Sequence, residues 1–153
     1  MKKTIFTILA LAFFCAGAFA QQGNNKAAKT IMMRQFEKLV VDGNMTVLLR
    51  ESDHFSLEVK GTPAFVKSFQ TRQGNNGMVL RSYYDSYGKT ENIVIVSAKN
   101  LKEIFVCGEA SVYSENTLAS PVLNVWLDAE ARVRINSFGK LNVFASDSYV
   151  INR

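Results

Sequence analysis

Three short runs decide how this sequence folds. They are Ile104-Phe105-Val106-Cys107-Gly108-Glu109-Ala110-Ser111-Val112, Leu123-Asn124-Val125-Trp126-Leu127-Asp128-Ala129-Glu130-Ala131 and Leu141-Asn142-Val143-Phe144-Ala145-Ser146-Asp147-Ser148-Tyr149. Their first residues lie 19 and 18 positions apart. Self-similar segments at a near-fixed period are what stacked repeats produce, because each unit covers its neighbour's apolar face. Within each run apolar or small residues fall at every second position, the period of a strand with one buried side. Aligned as written, Ile104, Leu123 and Leu141 form one inward ladder, and Val106, Val125 and Val143 a second. Burying each such side chain contributes roughly 1.5–3 kcal/mol. The opposite face then aligns Phe105 with Asn124 and Asn142, Cys107 with Trp126 and Phe144, and Glu109 with Asp128 and Ser146. An aromatic column on a face that is normally polar is either covered by another element, here a second sheet or residues 64–72, or is a contact surface.

The preceding segments are short strands between turns. Leu39 and Val41 lead into Asp42-Gly43-Asn44, Met45, Val47 and Leu49 alternate with polar residues, and Phe55, Leu57 and Val59 follow Glu51-Ser52-Asp53-His54. Gly61-Thr62-Pro63 breaks that strand, and residues 64–72 read as a short helical turn or an irregular strand, with the spacing of Phe65 and Phe69 favouring the turn. Gly74-Asn75-Asn76-Gly77 is a turn of residues that accept positive φ. Met78 to Arg81 leaves it as a strand, Tyr83-Tyr84-Asp85-Ser86-Tyr87-Gly88-Lys89-Thr90 is a polar aromatic loop, and Ile93 to Val96 is a β-branched strand covered on both faces. No helix of ordinary length is expected, so the reading is one all-β domain over residues 36–153, a short β-solenoid or right-handed β-helix with strand hairpins in its N-terminal half.

Residues 1–20 carry Lys2 and Lys3, an apolar run from Ile5 to Ala16 and Ala18-Phe19-Ala20, the pattern of a secretory signal peptide. Residues 21–35 read as a flexible leader. The expected destination is export through the secretory pathway to the periplasm, the outer-membrane surface or the extracellular space. The formal charge is +5, or +3 once Lys2 and Lys3 leave with the signal. It is spread along the chain without a basic run, so nucleic acid is not an expected partner, and no transmembrane segment is expected after cleavage. Cys107 is then the only cysteine, which precludes an internal disulfide. It reads as a small buried apolar residue, as a thiol cross-linking two copies, or as a nucleophile.

The order of these elements carries a resemblance. It runs F-x-x-L-x-V-x-G (Phe36, Leu39, Val41, Gly43), then Val47 and Leu49, then L-x-V-x-G-x-P (Leu57, Val59, Gly61, Pro63). A Gly-Asn turn, Met78 to Arg81, Ile93 to Val96, L-K-x-I-x-V-x-G-x-A-S-V (Leu101 to Val112) and the L-N-V copies follow. Residues 36–151 thereby resemble the GIN-type head domain of putative auto-transporter adhesins. The resemblance implies a β-solenoid-like fold, a cell-envelope or surface address and an adhesin-like role. The family's small tight turns stand here as Gly108-Glu109-Ala110-Ser111, Asp128-Ala129-Glu130 and Ala145-Ser146-Asp147.

Little in the sequence points to catalysis. His54 is the only histidine and sits beside Asp53 in a turn, where adjacent side chains do not converge as a triad requires. One histidine and one cysteine cannot make a four-ligand zinc site, so no metal and no cofactor are expected. Gly88-Lys89-Thr90 lacks the upstream glycine and following helix of a phosphate-binding loop. Asp128, Glu130 and Glu109 are candidate carboxylates for a polysaccharide-acting enzyme, a remote alternative. The expected function is a non-catalytic module binding a glycan or a protein partner. Trp126, Phe144, Tyr83, Tyr84 and Tyr87 are its contact residues, assisted by Arg132 and Arg134. The competing reading is a structural protein whose aromatic column packs on a copy of itself.

Overall fold

The computed structural model describes residues 26–83, 92–128 and 130–145. The expected signal peptide (residues 1–20), Tyr84, Tyr87 and residues 146–153 lie outside the described residues.

Among the described residues, twelve strands and one helical turn occur in the order β1 (Ala27–Met32), β2 (Lys38–Gly43), β3 (Thr46–Glu51), β4 (Ser56–Gly61), α1 (Pro63–Ser68), β5 (Gln70–Gln73), β6 (Gly77–Ser82), β7 (Ile93–Ala98), β8 (Glu103–Cys107), β9 (Ser111–Ser114), β10 (Val122–Leu127), β11 (Arg132–Arg134) and β12 (Lys140–Ala145). They form two six-stranded sheets: a front sheet, β12-β10-β8-β2-β6-β5, and a back sheet, β1-β4-β7-β3-β9-β11. From β7 to β12 the chain alternates between the sheets, and the strands it stacks within each sheet pair in parallel. β5 joins the front sheet antiparallel, and β4 and β1 join the back sheet antiparallel. The all-β class holds. The arrangement is two open mixed sheets, each with antiparallel strands at one edge, rather than a closed helix of uniformly parallel rungs.

Alternation explains the sandwich. Leu39, Val41, Leu80, Ile104, Val106, Leu123 and Val125 point inward from the front sheet. Val47, Leu49, Leu57, Val59, Val94, Val96 and Val112 point inward from the back sheet, and all belong to one core. β7 is buried along nearly its whole length, Ile95 and Ser97 included, as a β-branched run predicts. The Phe65/Phe69 spacing is realised in α1. Thr62 caps it by accepting from the Phe65 N–H at 3.1 Å, Pro63 opens it, and the two rings lie 5.9 Å apart.

Three expectations shift. Residues 27–32, inside the expected leader, pair with β4 as an edge strand that an apolar pattern cannot reveal, since its residues are mostly exposed. The Gly74–Gly77 turn closes the β5–β6 hairpin through Gly74 N–H donating to the Gly77 carbonyl at 2.8 Å, without positive φ at either asparagine. The register of the first repeat differs by two residues. Ile104 lies beside Val125 and Val143, and Val106 beside Leu127 and Ala145, whereas Leu123 pairs with Leu141 alone. A slip of two keeps every side chain on its face and changes only its neighbours.

Candidate functional site

The slip rebuilds the outer column. Phe105, Trp126 and Phe144 occupy one rung across β8, β10 and β12, and Val40 and Val79 continue it across β2 and β6 to Arg72 of β5. Cys107 is not part of this column; it lies one outward position further on, beside Asp42. With strands about 4.8 Å apart, the apolar part of this rung, from Phe144 to Val79, crosses the sheet for about 19 Å.

The rings stack on one another. The Phe105 and Trp126 centroids are 4.4 Å apart with planes 6° from parallel, and those of Trp126 and Phe144 are 5.3 Å apart at 20°. Lys38 Nζ sits 4.3 Å from the centre of the Phe105 ring and closes that end. Both faces of Trp126 are therefore occupied, and the stack turns its electropositive ring edges to solvent. Only the far face of Phe144, a side chain 48% exposed, is open.

Polar rows border the rung on both sides. One holds Lys38, Glu103, Asn124 and Asn142, with the Lys38–Glu103 pair at 3.5 Å and Asn142 Nδ2 donating to Asn124 Oδ1 at 2.8 Å. The other holds Arg81, Asp42, Cys107 and Asp128, with Arg81 Nε donating to Asp42 at 2.8 Å. Two shallow recesses flank the stripe. One of about 280 Å³ is lined by Glu37, Lys38, Asn76, Gly77, Lys102 and Glu103. The other, of about 340 Å³, is lined by Gln70, Thr71, Arg72, Val79 and Arg81. Lys102 holds the Glu37 carboxyl below the usual carboxylate range, helped by Asn76.

Among the described residues, α1 packs on β1 and β4 of the back sheet, so neither it nor a second sheet covers this face. Tyr83 follows β6 on the same side, 70% exposed, with the Arg81 guanidinium 5.6 Å from its ring. Arg132 and Arg134 are exposed on the outer face of the back sheet, beside Ser111 and Tyr113. The structure thus brings Trp126, Phe144 and Tyr83 to one face and leaves the two arginines on the other. Phe105 and Lys38 were missed. Aligning the copies on aromatic rather than aliphatic residues would have found Phe105, whereas Lys38 reaches the stack only through tertiary pairing.

Cys107 is half-buried, and its thiol is pushed up first by burial and then by the Asp42 and Asp128 carboxylates. The thiolate is the reactive form. Alkylation of Cys107 by iodoacetamide at pH 8 should therefore run slower than that of a free cysteine, because a raised thiol pKa lowers the thiolate fraction. A faster rate would overturn this electrostatic reading. His54 is exposed in its turn, and Lys99 pairs with Asp53 and holds that carboxyl low. Glu109 accepts from Asn44 at 3.3 Å, and Glu130 is exposed. Among the described residues no group of three or more His, Cys, Asp or Glu is placed to hold a metal ion, and no helix is long and apolar enough to cross a membrane.

The family profile described as "Putative auto-transporter adhesin, head GIN domain" matches residues 35–152. None of the curated proteins matches. Among solved structures, a putative adhesin from Parabacteroides merdae superposes with a TM-score of 0.67 at 17% identity, covering 82% of this chain and 55% of that one. A putative adhesin from Parabacteroides distasonis gives 0.61 at 17% identity, covering 78% and 56%. A putative lipid binding protein from the same species gives 0.54 at 11% identity, covering 80% and 61%. At these identities the likeness is one of fold, and the chain spans a little over half the length of these structures.

Proposed function

The chain belongs to the head GIN domain family of putative auto-transporter adhesins, and from that membership we propose an exported, non-catalytic binding module of the cell envelope or surface. Its two-sheet winding from β7 to β12 acts as a short solenoid that displays the front sheet. The observation that carries the reading is the open Phe105–Trp126–Phe144 stack, bordered on both sides by hydrogen-bonding rows. A long apolar rung with polar rims suits an extended ligand laid across the strands. A protein segment fits better than a row of sugar rings. Sugars stack on ring faces, and here the rings cover one another, whereas a polypeptide offers aliphatic groups to the rung and carbonyl oxygens to the ring edges and the rim asparagines. Trp126 is the central contact, with Phe105 and Phe144 beside it and Tyr83 at the far end. Arg132 and Arg134 lie outside this surface.

The test is a direct binding screen of the exported chain against purified envelope and host-surface proteins and against glycans, run beside Trp126→Ala. Saturable binding to a protein that weakens at least about tenfold in the variant, or about 1.4 kcal/mol, supports the reading if the variant keeps its melting temperature. Equal binding by both proteins would move the site off the front sheet, and the same screen with Arg132→Ala/Arg134→Ala would then locate it. A polysaccharide-cleaving activity lost in Asp128→Asn would remove the non-catalytic part of the proposal.

A further inference from the structure

The last strand of the front sheet is a near-copy of the one before it, yet it is packed on one side only. Val122-Leu123-Asn124-Val125-Trp126-Leu127 pairs in register with Lys140-Leu141-Asn142-Val143-Phe144-Ala145. The inward Leu123 and Val125 are 0% exposed, while Leu141 and Val143, one strand further out in the same ladders, are 36% and 40% exposed. The aliphatic positions are alike, so the difference comes from the neighbouring strand that β10 has and that β12, among the described residues, lacks.

The other three sheet edges are guarded against pairing. β1 points Lys29 inward beside Val59, β5 points Thr71 and Gln73 inward, and β11 flanks Val133 with two arginines. Inward charge, polar residues and short length are the devices that keep edges apart. Among the described residues β12 is the only edge strand with more than one inward residue and all of them aliphatic, and its one charge stands at the first position.

We propose that β12 is a self-association edge, which pairs antiparallel with β12 of a second copy about a two-fold axis through Asn142. The orientation follows from geometry. Two copies joined through this one edge keep outer face beside outer face only if the axis is normal to the sheet, and that makes the strands antiparallel. The sequence is self-complementary in that direction. Lys140 comes opposite the partner's Phe144, Leu141 opposite the partner's Val143, and Asn142 opposite the partner's Asn142. The charge then meets the open ring face, as Lys38 already does at Phe105. The aliphatic residues join the two cores, and the amide ladder begun by Asn142 and Asn124 extends across the axis. One six-residue edge buries less than the ~800 Å² per partner of a stable complex, so the dimer is weak and concentration-dependent.

Sedimentation of the exported chain from about 10 μM to about 1 mM, a span that covers weak association, should show its mass rising from monomer towards dimer. Val143→Lys, which copies the inward lysine of β1, should remain monomeric throughout with an unchanged melting temperature. A second measurement does not depend on how β12 tolerates that change. In a Cys107→Ser background, Asn142→Cys should cross-link rapidly to itself on oxidation, since directly opposed residues lie within disulfide reach. Lys140→Cys should not, because its two copies stand about 14 Å apart along the strands. A monomer at every concentration, with the edge taken by other residues of the chain or by another protein's strand, would overturn the proposal. So would a dimer that survives Val143→Lys, or equal cross-linking at positions 140 and 142. The association covers the Phe144 ring but not Trp126, and because Val143→Lys and Trp126→Ala test them separately, either can fail without the other.

Discussion

Gly43→Ala should destabilise the fold by on the order of 3–5 kcal/mol, a large share of the ~5–15 kcal/mol that holds a domain together. Two costs add. Gly43 has φ = 114°, outside the range that residues with a β-carbon adopt; a strained backbone of this kind costs about 1–3 kcal/mol. A β-carbon there would also lie 1.8 Å from the Ser82 carbonyl oxygen, which is backbone of the paired strand and cannot rotate away. Relief requires β2 and β6 to part at the corner where the chain leaves the front sheet for the back. Gly108 (φ = 73°) turns the corresponding corner after β8, and a β-carbon on it would touch the Gly43 backbone at 3.3 Å. The two corners are stacked, so the damage reaches the third strand of the front sheet. Urea unfolding measures the loss. Gly77→Ala is the control: its nearest atoms lie 3.8 and 3.9 Å away, so it should stay within about 1 kcal/mol of the parent. A Gly43→Ala protein as stable as that control would mean that the corner is built differently.

These glycines also mark how far the sequence could be read. The strands with strict alternation, β2, β3, β4 and β8, were legible because one side of each faces a core and periodicity records burial. β1 and β5 were not, because an edge strand with polar residues owes its place to backbone pairing, which leaves no pattern. The repeat was visible, but its register was not. Residues 103–106 and 111–113 align with residues 21 further on, whereas Val122 to Leu127 align with residues 18 further on. The difference is absorbed between Glu115 and Pro121, where Leu118 bridges to Ser137 at an offset of 19. Loop length is free to vary while strand register is not, so anchoring the copies on their first aliphatic residue placed Cys107 where Phe105 belongs. The site suffered in proportion. Trp126 and Phe144 share a column because their offset is the regular one. Arg132 and Arg134 point outward as their parity required, but parity within a strand does not tell which of two sheets the strand joins.

Gly139→Ala should produce a comparably large steric cost but a different kind of unfolding. Its φ is not among the positive values, so conformation alone does not demand glycine. Space does: a β-carbon would sit 2.2 Å from the carbonyl oxygens of both Ser120 and Pro121. The flanking bonds, Phe138 N–H to the Leu118 carbonyl at 3.0 Å and Lys140 N–H to the Pro121 carbonyl at 2.9 Å, hold Gly139 against that turn. An alanine must therefore lift the start of β12 off the turn before β10 and forfeit the Val122–Lys140 end of the pairing, a loss of about 2–4 kcal/mol. Because β12 is the edge strand of its sheet among the described residues, it can detach while β8, β2 and β6 stay paired, as terminal units do when local stability is low. Gly43→Ala, placed inside the sheet, should lower one cooperative transition seen equally by all probes. Gly139→Ala should separate them. Trp126 loses the Phe144 ring when β12 leaves, so its emission should shift to the red at lower denaturant than the far-ultraviolet circular dichroism changes. The released strand would also abolish any association through the β12 edge. Coincident transitions in Gly139→Ala would instead mean that β12 and the core unfold as one unit. The open edge would then be as firmly held as the strands beneath it, and a second copy would have a rigid template on which to pair.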